Sequence, residues 1–448
     1  MENNGPGLEE LNQLVRDLLA RVSRLEQIVG APSPDVSTAQ HQATSRNAIA
    51  SPSASPDLES RIGSQWLNRI GIVAVLIGVS FFLKYAFESQ LIGPAGRVGL
   101  GLLGGIAVIA ASEIFRRRGY RVFSFSLKAL GLGILYLSLW AAFQVYDLIS
   151  WLVAFLAMVT VTVSTAVLAL SQDAEVLALF ALVGGYLTPV LLYTGDNREI
   201  ELFTYLVLLS LATLILSVSR PWQRLVLVSL LATNILYIGW YASFYRPRDL
   251  DVTLSFATVF FVIFAVAPIL ESIFRPASNR WHIALSTSLL NAVAYFLGLY
   301  LFFGRTDTVT MAWSAAGLAA IYTSLSLFLP TKAADPLPAA LQRLHFSLGT
   351  ALLAIAIAIG FESKWISLGW FVESTILMSL GFWRKSPFLR WQALAILALT
   401  IGKVFTIDIW NLDRGYRIIS FVALGVLLLG ISFLYQRDWL RRITSNVR

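Results

Sequence analysis

The 448-residue chain has no cysteine, which excludes disulfides, thiolate metal sites and cysteine nucleophiles. Histidine is almost as scarce. His41, His282 and His345 are too scattered for a His-based metal site, and no His-Glu-x-x-His segment occurs. A Gly-x-Ser-x-Gly elbow and a phosphate-binding loop are missing as well, so the sequence points to no catalytic residue, metal or cofactor. Charge is the third shortage. Only 13% of residues are charged and 57% are hydrophobic, against about 25% charged in ordinary soluble domains. A soluble protein of this length cannot cover such a chain with polar surface.

What fills the sequence instead is a series of about fourteen apolar runs, each about 18–25 residues long and able to cross a hydrocarbon core of roughly 30 Å as a helix. They lie near 66–87, 96–115, 122–145, 151–170, 175–194, 201–219, 223–245, 252–274, 281–303, 309–329, 341–361, 365–383, 388–410 and 415–436. The expected fold is therefore all-α, a polytopic transmembrane helix bundle over 63–436 with the lipid bilayer as its main partner. The net charge of +8 does not indicate nucleic acid, because the basic residues sit at the ends of apolar runs and not on one face. Tryptophans at the run ends, among them Trp151, Trp281, Trp365, Trp383 and Trp391, fit an interfacial belt, and Trp222 is placed with them.

Ahead of the bundle, Leu8, Leu11, Val15, Leu18, Val22, Leu25 and Val29 step alternately by three and four residues. This is the a/d spacing of a coiled coil, with Arg21 and Glu26 at flanking pairing positions. Residues 1–30 are thus expected to form a cytoplasmic coiled-coil or amphipathic helix, with self-association through 8–29; a helix lying on the membrane is the alternative. Residues 31–62 are rich in Ala, Ser and Pro and read as a flexible linker. The first apolar run begins only near Trp66, so no cleavable signal peptide fits the beginning. Residues 437–448 form a basic tail.

Basic residues also give an orientation. Arg116, Arg117, Arg118, Arg121, Arg220, Arg224, Arg384, Lys385 and Arg390 fall on the side of the amino terminus together with the basic tail, and fewer fall opposite. By the positive-inside rule both termini are cytoplasmic. The fifth run holds Gly184, Gly185, Thr188 and Pro189; were it a re-entrant loop, every later loop would exchange sides and break the charge pattern, so a full but kinked crossing is expected.

Charged groups inside the runs need a reason, since each costs at least about 2.5–3.5 kcal/mol at the membrane centre. Lys84, four residues before Glu88, reaches the interface by snorkelling. Glu113 faces Arg116 and Arg117, and Glu271 faces Arg275, at the spacing of interfacial ion pairs. Glu373 and Lys403 lie at similar expected depths on helices joined by a short loop, and a buried Glu373–Lys403 ion pair is predicted, either lining a polar path or fixing helix register. Asn291, Asn234 and Gln144 are expected to bond between helices. Asp408 is expected to be solvated or paired with Arg414 or Arg417. Asp249 and Asp251 read as salt-bridged with Arg246 and Arg248. Pro189 removes a helical hydrogen bond and frees a carbonyl near Gly185, which makes this run the candidate functional bend. Gly99, Gly101, Gly104 and Gly105 read as a close-contact face.

Several segments carry a family likeness: Trp66-Leu67-Asn68-Arg69-Ile70-Gly71, Phe81-Phe82-Leu83-Lys84-Tyr85-Ala86, Gly93-Pro94 with Gly96-Arg97, Gly184-Gly185-Tyr186-Leu187-Thr188-Pro189, and Arg417-Ile418-Ile419-Ser420-Phe421. Over most of its length the chain resembles the bacterial predicted membrane proteins called domain of unknown function 2339. The resemblance implies a polytopic protein of the bacterial cytoplasmic membrane, marks Trp66, Arg69, Lys84, Pro94 and Arg97 as motif residues, and imports no activity. Three functions follow as expectations. A transporter or flippase-like protein of unknown substrate comes first, then a non-transporting scaffold assembled through the coiled coil, then a membrane-embedded transferase on lipid-linked substrates.

Overall fold

The structure is a computed structural model, and it describes residues 67–88, 93–274, 281–304, 306–329 and 336–408, with isolated residues of 13–21 and 415–436. Trp66, the linker 31–62, the basic tail and most of the heptad lie outside the described residues, as does the side chain of Arg69. Chain contacts divide the molecule into residues 1–74 and residues 75–448. In the first unit the described residues between 13 and 21 are helical, with Val15 and Leu18 exposed.

Most of the remaining described residues are helical, joined by short turns. The helices are α1 Leu67–Glu88, α2 Pro94–Arg117, α3 Arg121–Trp140, α4 Trp151–Gln172, α5 Glu175–Leu191, α6 Glu199–Ser219 and α7 Gln223–Phe244. They continue as α8 Leu250–Phe274, α9 Trp281–Phe303, α10 Thr308–Phe328, α11 Pro336–Gly360, α12 Ser363–Trp383 and α13 Pro387–Lys403. Two of them end in a π turn: α3 in Ala141–Val145 and α13 in Val404–Asp408. Among the described residues eleven helices are long and apolar enough to cross a membrane; α5, with 17 residues, is shorter. At 1.5 Å per residue it reaches about 25 Å, somewhat less than a typical hydrocarbon core.

Local chemistry sets the helix ends. Pro94 and Pro387 occupy the first turns of α2 and α13, where a missing N–H costs nothing. Asp307 caps α10 by accepting from the backbone N–H of Thr310 at 2.9 Å. Hydrogen bonds from the Thr310 hydroxyl and backbone hold its carboxyl below the usual aspartate range. Asp173 and Lys385 take left-handed backbone angles in the tight turns after α4 and α12.

Packing follows membrane rules, with small residues at crossings and large apolar ones facing outward. A Cβ on Gly131 of α3 would lie 2.8 Å from the carbonyl oxygen of Gly105, and one on Gly105 would meet Leu135, so these two helices touch backbone to backbone. Of the glycine face expected on α2, Gly101 and Gly105 are in contact with α3, whereas Gly99 and Gly104 meet open space. The largest core centres on Phe203 of α6, whose ring lies 5.1 Å from Tyr237, 5.0 Å from Trp240 and 5.2 Å from Phe256. A second joins α8 to α11 through Phe261, Leu318, Tyr322 and Leu352, and a third links α12 and α13 through Phe371, Met378, Ile396 and Val404. Trp383 and Trp391 are largely exposed, as a belt requires, but Trp222 is buried in the main core.

Candidate functional site

α12 and α13 run antiparallel, with Gly381 set against Leu389 and Arg390 and Ser367 against Lys403. That register puts Glu373 level with Leu397, not with Lys403. The expected Glu373–Lys403 ion pair is therefore corrected: Lys403 pairs with Asp408, Nζ to Oδ1 at 2.5 Å. Its other two protons go to the Ser363 carbonyl at 2.8 Å and the Ser367 hydroxyl at 3.1 Å. An ammonium has three donors, so none is left for Glu373. Ser367 donates in turn to Asp408 Oδ2 at 2.5 Å. Asp408 is fully buried, and the expectation of a solvated or Arg-paired carboxylate is corrected with the same geometry.

The π turn is the reason the sequence hides this pair. On a regular α-helix, residues 403 and 408 point about 140° apart. The widened turn Val404–Asp408 brings position i+5 round beneath position i, and the two charges meet.

Glu373 is left alone. It is 5% exposed, and neither carboxyl oxygen has a hydrogen-bond partner. The nearby hydroxyls are spent on their own helix, Ser374 and Thr375 both donating to the Phe371 carbonyl at 3.0 and 2.7 Å. Phe371 and Leu377, on the turns before and after it, belong to the apolar cluster of α12 and α13.

The fifth run is an unbroken helix with Pro189 inside it. The carbonyl that Pro189 cannot engage, Gly185 O, accepts a hydrogen bond from the Tyr205 hydroxyl on α6 at 2.8 Å. Thr188 is fully buried and donates to Gly184 O at 3.1 Å. A Cβ on Gly184 would stand 2.6 Å from the Tyr136 ring. The bend is thus closed by packing and by a single hydroxyl. Beside it lies a network that sequence reasoning missed: the Tyr186 hydroxyl meets Ser229 at 2.7 Å, Thr233 at 2.8 Å and Ser210 at 3.2 Å. Its signal is a row of small hydroxyl residues in apolar runs, too common to single out.

The other expected residues fall in several places. Asn291 Nδ2 donates to the Phe261 carbonyl of α8 at 3.0 Å, an interhelical bond. Asn234 instead bonds Leu230 O in its own helix at 2.8 Å, and Gln144 is exposed on the π turn. Lys84 and Pro94 are exposed, whereas Arg97 is buried in the first turn of α2. Glu113 pairs with Arg116 and, at 3.6 Å, with Arg117. Sequence reasoning passed over Lys128, 1% exposed, which lies 3.8 Å from Glu113 and donates to Gln172 Oε1 at 2.6 Å. A lysine eight residues into α3 was the available signal. Glu271 accepts from Gln223, and Arg275 lies outside the described residues. Arg248 and Asp249 pair at 3.4 Å.

Between α7, α8 and α9 lies a cavity of about 300 Å³. Its walls are mainly aliphatic and aromatic, with Asn234 and Asn291 toward one end and Tyr241 and Phe302 toward the other.

No curated protein and no solved structure matches the chain. One family model does, over residues 63–376 and 364–437, and its description is "Predicted membrane protein (DUF2339)". A match over most of the chain, joined to a bundle of membrane-length apolar helices, makes this chain a member of the DUF2339 family of membrane proteins.

Proposed function

We propose that this protein is an ion-coupled transporter, flippase-like in its membrane-embedded character, of the bacterial cytoplasmic membrane with both termini in the cytoplasm. Glu373 is the group that carries the coupling proton or cation. The observation behind the reading is a carboxyl buried midway along a helix of membrane-spanning length, with no counter-charge and no donor. An ionisable group within a span is costly unless something neutralises it. Lys403, the obvious candidate, is already saturated by Asp408, Ser363 and Ser367. Neutrality at Glu373 then requires a proton or a cation from outside the protein, and exchange of that ion is what couples transport to a gradient. The expected pathway at the α5 bend is given up, because Tyr205 and Tyr136 close it.

The test is chemical. Dicyclohexylcarbodiimide, an apolar reagent that attaches to protonated carboxyls in lipid, is added to membranes holding the full chain, and the modified peptide is identified by mass. Modification of Glu373 that weakens as pH rises or as a competing cation is added supports the reading, with Glu373→Gln as the blank. A Glu373 that stays unmodified at every pH overturns it. The cysteine-free chain permits a second arm: Leu377→Cys, one turn further along α12, is challenged with an impermeant thiol reagent, with exposed Thr194→Cys as control. Labelling at 377 supports an aqueous path; labelling at 194 alone overturns it.

The closed networks around Asp408 and Tyr186 favour a second reading, a scaffold with a dry bundle that assembles through residues 8–29. Failure of both arms leaves that reading standing.

A further inference from the structure

The cavity between α7, α8 and α9 has the shape of a slot cut into the side of the bundle. Along α7 its wall runs from Leu230 to Tyr241, and along α9 from Leu290 to Phe302. At 1.5 Å per residue that is about 16–18 Å, close to half of a hydrocarbon core of roughly 30 Å. The slot therefore spans one leaflet, from the middle of both helices to the end where α7 turns into α8. Its floor is aromatic, made by Phe260, Phe261 and Phe264 of α8. It opens sideways, because Ile238, Leu297 and Leu301 on its two lips are each more than half exposed. A glycine on its wall, Gly298, leaves open space where a side chain would stand.

We propose that this slot is a binding site for one acyl chain of an anionic phospholipid in the leaflet on the side of the α7–α8 turn. Three observations converge on that occupant. The slot is as long as one leaflet is deep. Its walls are mainly apolar, with the Asn234 and Asn291 amides donating to the Leu230 and Phe261 carbonyls, and its mouth faces the bilayer, so an acyl chain enters without leaving hydrocarbon. At its outer end Tyr245 stacks on Tyr241 at 4.5 Å and packs on Phe302 at 5.6 Å, and the next residue is the exposed Arg246. Aromatic residues and an arginine at that level are what a phosphate headgroup meets at the interface. The site stands apart from Glu373, which lies on α12, and does not rest on the transport reading.

The experiment uses the full chain in vesicles that contain a phosphatidylglycerol with a photoactivatable diazirine in its acyl chain, followed by peptide mapping. Adducts are expected to concentrate on α7 and α9 along the slot. Gly298→Leu sets its Cβ in open space on the slot wall and is expected to lower those adducts by about tenfold, a substantial loss of occupancy. Gly239→Leu adds the same side chain to α7 at an exposed position with open space, and is expected to leave them unchanged. Ala294→Leu, also on the slot wall, repeats the block should the first variant fail to insert. Adducts spread evenly over all spans, or adducts indifferent to both blocking variants, overturn the proposal. So does labelling by a photoactivatable free fatty acid with none by the phospholipid. An Ile238→Cys chain that crosslinks to a second copy, with no lipid adducts on the wild-type chain, overturns it in favour of a protein occupant.

Discussion

At the scale of single residues, three buried charges behave in three ways. Lys403 is neutralised by Asp408, Lys128 lies 3.8 Å from Glu113 and is bonded to Gln172, and Glu373 is bonded by nothing. The first case carries a stability prediction. Removing one member of a buried, hydrogen-bonded pair leaves the other uncompensated, which typically costs about 3–5 kcal/mol. Asp408→Asn is expected to lower the thermal midpoint in detergent strongly. Lys403→Met combined with Asp408→Leu removes both charges and is expected to recover most of the loss. If the double variant is as unstable as the single one, the pair is not what holds the α12–α13 end together. The pair was not legible beforehand, because its spacing of five residues is read as two faces unless the π turn is known. The individual warning was legible: a lysine and a glutamate inside apolar runs are costly wherever they sit.

At the scale of elements, α5 shows how a helix-breaking residue is kept inside a helix. Pro189 withholds one N–H, and Tyr205 from α6 supplies an O–H in its place. Tyr205→Phe is therefore expected to destabilise the protein by about 1–3 kcal/mol, the cost of a buried carbonyl left unpaired. Pro189→Ala restores the backbone donor to the same carbonyl. The two changes should be coupled: Tyr205→Phe should cost much less in a Pro189→Ala background. A double-mutant cycle on unfolding midpoints measures that coupling, and strict additivity would dismiss the account. The sequence foretold the freed carbonyl near Gly185 from proline chemistry alone. What it did not foretell was the donor, which comes from twenty residues along the chain. The glycine face of α2 teaches the same lesson, since Gly101 and Gly105 are in contact while Gly99 and Gly104, equally small, face open space.

At the scale of the whole molecule, the orientation inferred from basic residues depends on every helix up to the last being a crossing. The weakest link is α5, with 17 residues and a proline, yet it is continuous from Glu175 to Leu191. If it crosses, Thr194→Cys and Thr306→Cys are labelled by an impermeant thiol reagent in intact cells. Arg118→Cys and Arg384→Cys are labelled only after permeabilisation. Labelling of position 384 in intact cells, with 118 still protected, would mean that one of the intervening helices does not cross.

Composition and spacing by themselves determined that the chain is an all-helical membrane protein, because apolar runs of this length have no other stable home and lipid demands helices that satisfy their own backbone. They also placed the helices along the chain, since hydrophobicity and interfacial residues are local properties. Local pairs such as Glu113 with Arg116 followed from spacing, but only the tertiary structure decided which polar groups meet between helices and across the π turn. Pairing within a bundle depends on helix register, rotation and local winding, and a π turn or a proline alters these by amounts that no periodicity records. That is why Asp408 takes Lys403, why Tyr205 closes the α5 bend, and why the Glu373 carboxyl is left without a hydrogen-bond partner.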